Sequence, residues 1–199
     1  MSELPNRLLA PPVVLLHGAA LGALAYALAE MIIPRSLVDS FEHDLRLAQG
    51  LGLTYPPLIG LWLGWVQRSW SRSLWGVAVG GGIGVAYYFL CTGRNFLAIM
   101  VAFPCLLGAA FAGLIGSNRS RPLEDAATRM IKGLIAGFAL GSAYLVLANL
   151  LVSRLALTEP SYSLNMWKGG APAMAASSAL FLVLLRWSIG LVAIFEPVE

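Results

Sequence analysis

Charge is scarce in this chain. Lys and Arg number 13, Asp and Glu 10, and only 12 % of the 199 residues are charged. With 58 % hydrophobic residues and a mean hydropathy of +0.76, a soluble domain of this size could not cover its apolar surface. The net charge of +3 is small, so it gives no reason to expect a nucleic-acid partner. Cysteine is nearly absent: Cys91 and Cys105 are the only two. They fall at different depths of successive apolar spans, roughly 13 Å apart along the helix axis at 1.5 Å per residue, so no disulfide is expected. They form no metal-ligand spacing, and no metal or other cofactor is expected. Histidine occurs twice, at His17 and His43. HExxH, GxSxG, CxxC and phosphate-loop patterns are all missing. Gly80-Gly81-Gly82 has no adjacent lysine and reads as a packing run. Without positioned acids, bases and nucleophiles the chain is not expected to be an enzyme, and no catalytic residue is assigned.

What the chain does have is apolar length. Six stretches, roughly 12–33, 51–67, 74–92, 96–116, 128–153 and 170–190, come close to or exceed the about 20 residues that cross a hydrocarbon core. The expected fold is all-α: a single polytopic membrane domain over 1–199, built of three consecutive helical hairpins at roughly 12–68, 74–119 and 122–187. Arg7 before an apolar run and Ala27-Leu28-Ala29 imitate a cleavable leader; the segment is read as the first span. Arg68 and Arg72 follow the second span, and Arg119, Arg121, Arg129 and Lys132 follow the fourth. Short positive links stay in the cytoplasm, which places both termini there. Asp39, Glu42 and Asp44 suit the outer side.

One pattern recurs three times. Gly18-x3-Gly22-x3-Tyr26, Gly76-x3-Gly80-x3-Gly84-x3-Tyr88 and Gly133-x3-Gly137-x3-Gly141 each place small residues on one helix face. Each is followed by a helix expected to open at Pro56-Pro57, Pro104 or Pro172 and to close on Arg68, Arg119 or Arg186. Glycine at every fourth position lets two backbones approach within a membrane. Gly18, Gly22, Gly80, Gly84, Gly137 and Gly141 are therefore the expected helix-packing residues. Shifted by 119 residues, Gly18, Gly22, Leu28 and Arg35 meet Gly137, Gly141, Leu147 and Arg154, and Glu30 meets Asn149. Pro104 is expected to kink its span, and Pro122 to open a helical extension running into span five. Leu37, Val38, Phe41 and Leu45 share a helical face, which predicts a segment lying flat at the outer interface. The six tryptophans stand near span ends, as interfacial anchors do.

Embedded ionisable groups are few, and such groups are functional suspects. Glu30 reads either as an interfacial carboxylate paired with Arg35 or Lys168, or as a cavity-lining acceptor for a ligand. His17, about 220° around the helix from Glu30, is expected to bond a carbonyl of a neighbouring helix. Arg186 marks a cytoplasmic span end, snorkelling to headgroups. Tyr26, Tyr87 and Tyr88 close the glycine ladders, each with an apolar ring and a hydroxyl in need of a partner. Tyr26, Glu30, Tyr87, Tyr88, Asn149 and His17 are the candidate ligand-binding residues. A pocket of such side chains between glycine-thinned walls suits an amphipathic lipid.

Tyr55-Pro56-Pro57-x-x-Gly60, Asn118-Arg119-Ser120-Arg121, the ladder Gly133, Gly137 and Gly141, and Thr158-Glu159-Pro160 together resemble the insulin-induced gene (Insig) family, in a bacterial type. The resemblance implies six spans with both termini cytoplasmic, and a non-enzymatic bundle with a central cavity for a diacylglycerol- or sterol-like lipid, often assembled as a homotrimer. The chain departs from the family at Cys91-Thr92-Gly93-Arg94-Asn95, where the family's acidic residue has no match. Three functions are therefore expected to compete: a lipid-binding sensor or scaffold; a small-solute transporter, channel or substrate-capture subunit; and a structural subunit of a larger membrane complex.

Overall fold

A computed structural model describes residues 10–32, 40–92, 94–115, 123–156 and 162–189, and every statement below concerns these. They form six helices and no strand: α1 (Pro11–Ile32), α2 (Ser40–Val66), α3 (Trp70–Leu90), α4 (Phe96–Ala110), α5 (Leu123–Ala156) and α6 (Tyr162–Ser188). A π-helical turn, Phe111–Ile115, continues α4. Five helical stretches are long and apolar enough to cross a membrane: Pro11–Ile32, Trp70–Leu90, Leu97–Leu114, Ala126–Arg154 and Lys168–Ser188. The fold is thus an all-α bundle of multi-pass membrane character. The helix α2 is not one of the five, because its uncharged stretch after Arg46 includes Gln49, Thr54, Tyr55, Pro56 and Pro57, which lower its hydropathy.

Two expectations about α2 need correction. Ser40–Leu47 does not lie flat at an interface but forms the first turns of α2, continuous with the following apolar stretch. Leu37, Val38 and Asp39 lie outside the described residues. The reason is visible in the inward face: His43, Leu47, Leu51, Tyr55, Ile59, Leu63 and Val66 are all buried, a stripe at helical spacing that crosses the expected boundary. Nor do the prolines open their helices. Pro56-Pro57 and Pro172 lie inside α2 and α6, as Pro104 does inside α4. The extension ahead of span five, by contrast, runs unbroken within the 34-residue α5; Pro122 itself lies outside the described residues.

The helices pack in chain order as a closed ring, α6 returning to α1. The glycine ladders make three of its seams, and these join successive hairpins. In α2–α3, Gly76 meets Gly60, Gly80 meets the Pro56 carbonyl and Gly84 meets the Gly52 carbonyl. In α4–α5, Gly133 meets Gly108, Gly137 meets Pro104 and Gly141 meets the Met100 carbonyl. In α1–α6, Gly18 meets Ser178 and Ala179, and Gly22 meets Met174.

Proline and glycine act together in two of these seams. Proline has no N–H and deprives the carbonyl four residues earlier of its helical donor. Pro56 does this to Gly52, and Pro104 to Met100. Those two carbonyls face Gly84 and Gly141. A bare Cα–H can approach such an oxygen where no side chain could. Pro172 is exposed and holds no equivalent place; the carbonyl of Met174 meets Gly22 there instead.

The α3–α4 boundary is the thinnest of the ring. Tyr87 fills it, its ring 4.1 Å from that of Phe103 and its hydroxyl donating to Met100 Sδ at 3.1 Å. Polar ties hold the remaining helices in register. Thr54 Oγ1 donates to the Ala25 carbonyl of α1 at 3.1 Å, and Tyr55 donates to Ser178 Oγ of α6 at 2.8 Å across the core. Gln49 Nε2 donates to the Tyr88 and Cys91 carbonyls at 3.3 and 3.0 Å, closing the end of α3.

Candidate functional site

The ends of the ring differ. One, the basic end, carries the α2–α3 turn, the start of α5 and the end of α6, with Arg68, Arg72, Arg129, Lys132 and Arg186. The other, the far end, carries the end of α1, the start of α2 and the α3–α4 turn. Most of the sequence-selected residues stand at the far end.

There Glu30, near the end of α1, faces His43 in the first turns of α2. The Glu30 Oε2 to His43 Nε2 separation is 3.5 Å, and both side chains are largely shielded. Glu30 therefore faces a residue that the sequence reading had placed in an outer link; Arg35 lies outside the described residues. Its second oxygen, Oε1, is buried without a hydrogen bond. Tyr26, one turn earlier, is fully buried. Its hydroxyl packs on Gly170 of α6 and stands beside Glu30. Tyr144 of α5 is buried within electrostatic reach of Glu30 and Asp44. A carboxylate-rich polar nucleus thus sits among four helices at the far end.

Beside it opens a cleft of about 450 Å³ between α2, α4 and α5. Asp44, Tyr144, Asn149 and Ser153 supply polar groups, and Leu47, Leu97, Met100, Leu145 and Val152 supply apolar walls. Asn149 is exposed on this surface, as a binding residue must be. Ala48, Met100 and Tyr144 also line a central void of about 50 Å³, shared with Tyr55, Tyr87 and Pro104. That void has room for water-sized molecules only, whereas the far-end cleft, off the axis of the ring, has room for a larger ligand.

The remaining candidates separate. Tyr87 belongs to the central void. Tyr88 is half-buried on another face, edge-on to Phe89 at 5.5 Å. His17 lies toward the basic end, its ring edge-on to Trp62 and Trp65 of α2 at 6.2 and 5.6 Å. Its Nδ1 is buried without a partner, so the expected bond to a neighbouring carbonyl is not made by that atom. Arg186 is buried rather than spread at the surface, and Trp62 is a core residue rather than an interfacial anchor; Trp65, Trp70, Trp75 and Trp187 are exposed. Cys91 and Cys105 are free thiols.

His43, Asp44 and Tyr144 were missed as site residues. His43 had a usable signal: four-residue steps from it lead through Leu47 and Leu51 to Tyr55. Tyr144 had little, since it follows the last ladder glycine by three and could be read as filler. Among the described residues no group of three or more His, Cys, Asp or Glu side chains could hold a metal. Comparison with family models, curated proteins and solved structures returned no match.

Proposed function

We propose that this protein is a non-enzymatic, multi-pass membrane protein that holds an amphipathic lipid in the far-end cleft, in a sensor or scaffold role. The observation that carries this reading is the pairing, in one cleft of about 450 Å³, of a leucine-, methionine- and valine-lined wall with Asp44, Tyr144 and Asn149. The volume falls within the range of small-molecule sites. Asp44 and the neighbouring Glu30 favour a headgroup that donates hydrogen bonds, such as the hydroxyl of a diacylglycerol- or sterol-like molecule. An anionic headgroup would meet like charge there. The Insig-like pattern implies the same ligand class. The positive-inside bias of Arg68, Arg72, Arg129 and Lys132 puts the basic end in the cytoplasm and the cleft in the outer leaflet.

Native mass spectrometry of the detergent-purified chain tests the reading. A neutral-lipid adduct is expected on the wild type and is lost on Ala148→Trp, which fills the cleft. Protein that is lipid-free in every mild detergent would overturn it.

A second reading, a small-solute transporter, draws on the shielded Glu30–His43 pair, because membrane-embedded carboxylate and imidazole groups serve proton relays. Proteoliposome flux decides. Flux unchanged by Glu30→Gln would remove Glu30 from any pathway.

A further inference from the structure

The far-end cleft is graded in polarity along α5. Tyr144, Asn149 and Ser153 all line it. At 1.5 Å per residue, Asn149 stands about 7 Å and Ser153 about 13 Å beyond Tyr144 toward the far end. Asn149 and Ser153 are exposed and, with Asp44 from the first turns of α2, make a polar mouth. Below them the floor is apolar, with Leu47, Ala48 and Met100. Tyr144 is the polar group of that floor.

Tyr144 is 8 % exposed, and its hydroxyl makes no hydrogen bond among the described residues. Glu30 and Asp44 lie within electrostatic reach, but neither is bonded to it. The hydroxyl is not sealed away, as Glu30 Oε1 is; it keeps a small accessible surface inside a space that a ligand would fill. Water can satisfy it while the cleft is open. Hydrocarbon laid over it would bury a polar group without a partner, at a cost of about 1–3 kcal/mol. A molecule that fills this cleft well must therefore bring an acceptor of its own to the floor.

A headgroup hydroxyl held by Asp44 and Asn149 lies too far out to serve. The carbonyl that joins an acyl chain to its headgroup lies a few ångströms deeper, and it is an acceptor with two lone pairs and no proton. A sterol has only hydrocarbon below its hydroxyl. We infer that the far-end cleft selects an acylated lipid over a sterol, with Tyr144 as the specificity-determining residue. The Tyr144 hydroxyl donates to the ester or amide carbonyl, while Asp44 and Asn149 hold the headgroup hydroxyl. This inference rests on the lipid-binding reading of the cleft and decides between the two ligand classes that reading allows.

A matched pair of lipids tests it. Dioctanoylglycerol and dioctylglycerol share a free hydroxyl and chain length, but the first joins its chains through ester carbonyls and the second through ethers. Native mass spectrometry of the full chain in mild detergent, titrated with each lipid, gives the two apparent affinities. The ester lipid is expected to bind about threefold to tenfold more tightly, the worth of one net hydrogen bond. Tyr144→Phe should bring that ratio close to one by weakening the ester lipid alone. An unchanged affinity for the ether lipid, and for cholesterol, then shows that the cleft is still folded. Ala148→Trp should abolish binding of all three. A wild-type ratio near one overturns the inference whatever the variant does, as does a ratio that survives Tyr144→Phe; in both cases the lipid-binding reading stands. If neither glycerolipid binds the wild type, that reading falls and the inference falls with it.

Discussion

Substituting alanine for Gly80 tests the physical basis of the ring. A methyl group built there would stand 2.5 Å from the Pro56 carbonyl oxygen, 2.6 Å from its carbon and 2.9 Å from the Pro57 nitrogen. All three are backbone atoms, so no side chain can swing aside. A comfortable carbon–oxygen approach is about 3.3 Å, and α2 and α3 must therefore part by about 0.8 Å. Gly76–Gly60 and Gly84–Gly52 lie in the same seam, so rigid helices open there too. A gap of that size forfeits about a quarter to a half of each dispersive contact, and overpacking of this kind costs about 1–3 kcal/mol. For a chain of this length each kcal/mol shifts the melting temperature by about 2–4 °C. Thermal unfolding in mild detergent should show the loss. Gly81 and Gly82 supply internal controls, since a methyl group on either meets nothing within 4 Å. Alanine there should be neutral or stabilising by up to about 1 kcal/mol, the helix-propensity gain over glycine. If Gly80→Ala melts with Gly82→Ala, the close-contact account of the ladders is wrong.

Other substitutions probe the polar ties. Tyr55→Phe removes the buried bond to Ser178 and should cost about 1 kcal/mol in detergent unfolding; an unchanged midpoint would show that Ser178 is satisfied elsewhere. Gln49→Leu strips the donor from the Tyr88 and Cys91 carbonyls. It should cost about 1–2 kcal/mol and speed amide exchange around the α3–α4 turn, whereas a uniform change along the chain would contradict a local role. Arg68→Gly relieves the positive φ and should raise stability by about 0.5–1 kcal/mol in detergent unfolding; a destabilised protein would mean that Arg68 holds the turn.

The helices were legible because their signals are local. Runs such as Phe96–Ala110 are uniformly apolar, and the ladders at Gly76–Gly84 and Gly133–Gly141 mark their own inward faces. The partner of each ladder was not legible. Four-residue spacing says that something comes close, but not whether it belongs to the same hairpin; the carbonyls that Pro56 and Pro104 leave without a donor settle that only in three dimensions. The start of α2 was misread because Glu42, Asp44 and Arg46 look like a loop, while the buried stripe through His43, Leu47 and Leu51 runs on at helical spacing into the apolar stretch. The far-end nucleus was half visible. Glu30 and Tyr26 stand one turn apart on a single helix. His43 and Tyr144 reach them from helices distant in sequence, a juxtaposition that no spacing rule encodes.

The contact between α1 and α6 has a consequence for biogenesis. Synthesis delivers α1 well before α6, so the bare stripe at Gly18 and Gly22 has no mate until α6 has left the ribosome. During that interval it is exposed to chaperones, proteases and neighbouring nascent chains. A truncation before Met174 would leave it permanently uncovered, and such fragments should be cleared by quality control rather than accumulate as shortened but stable bundles.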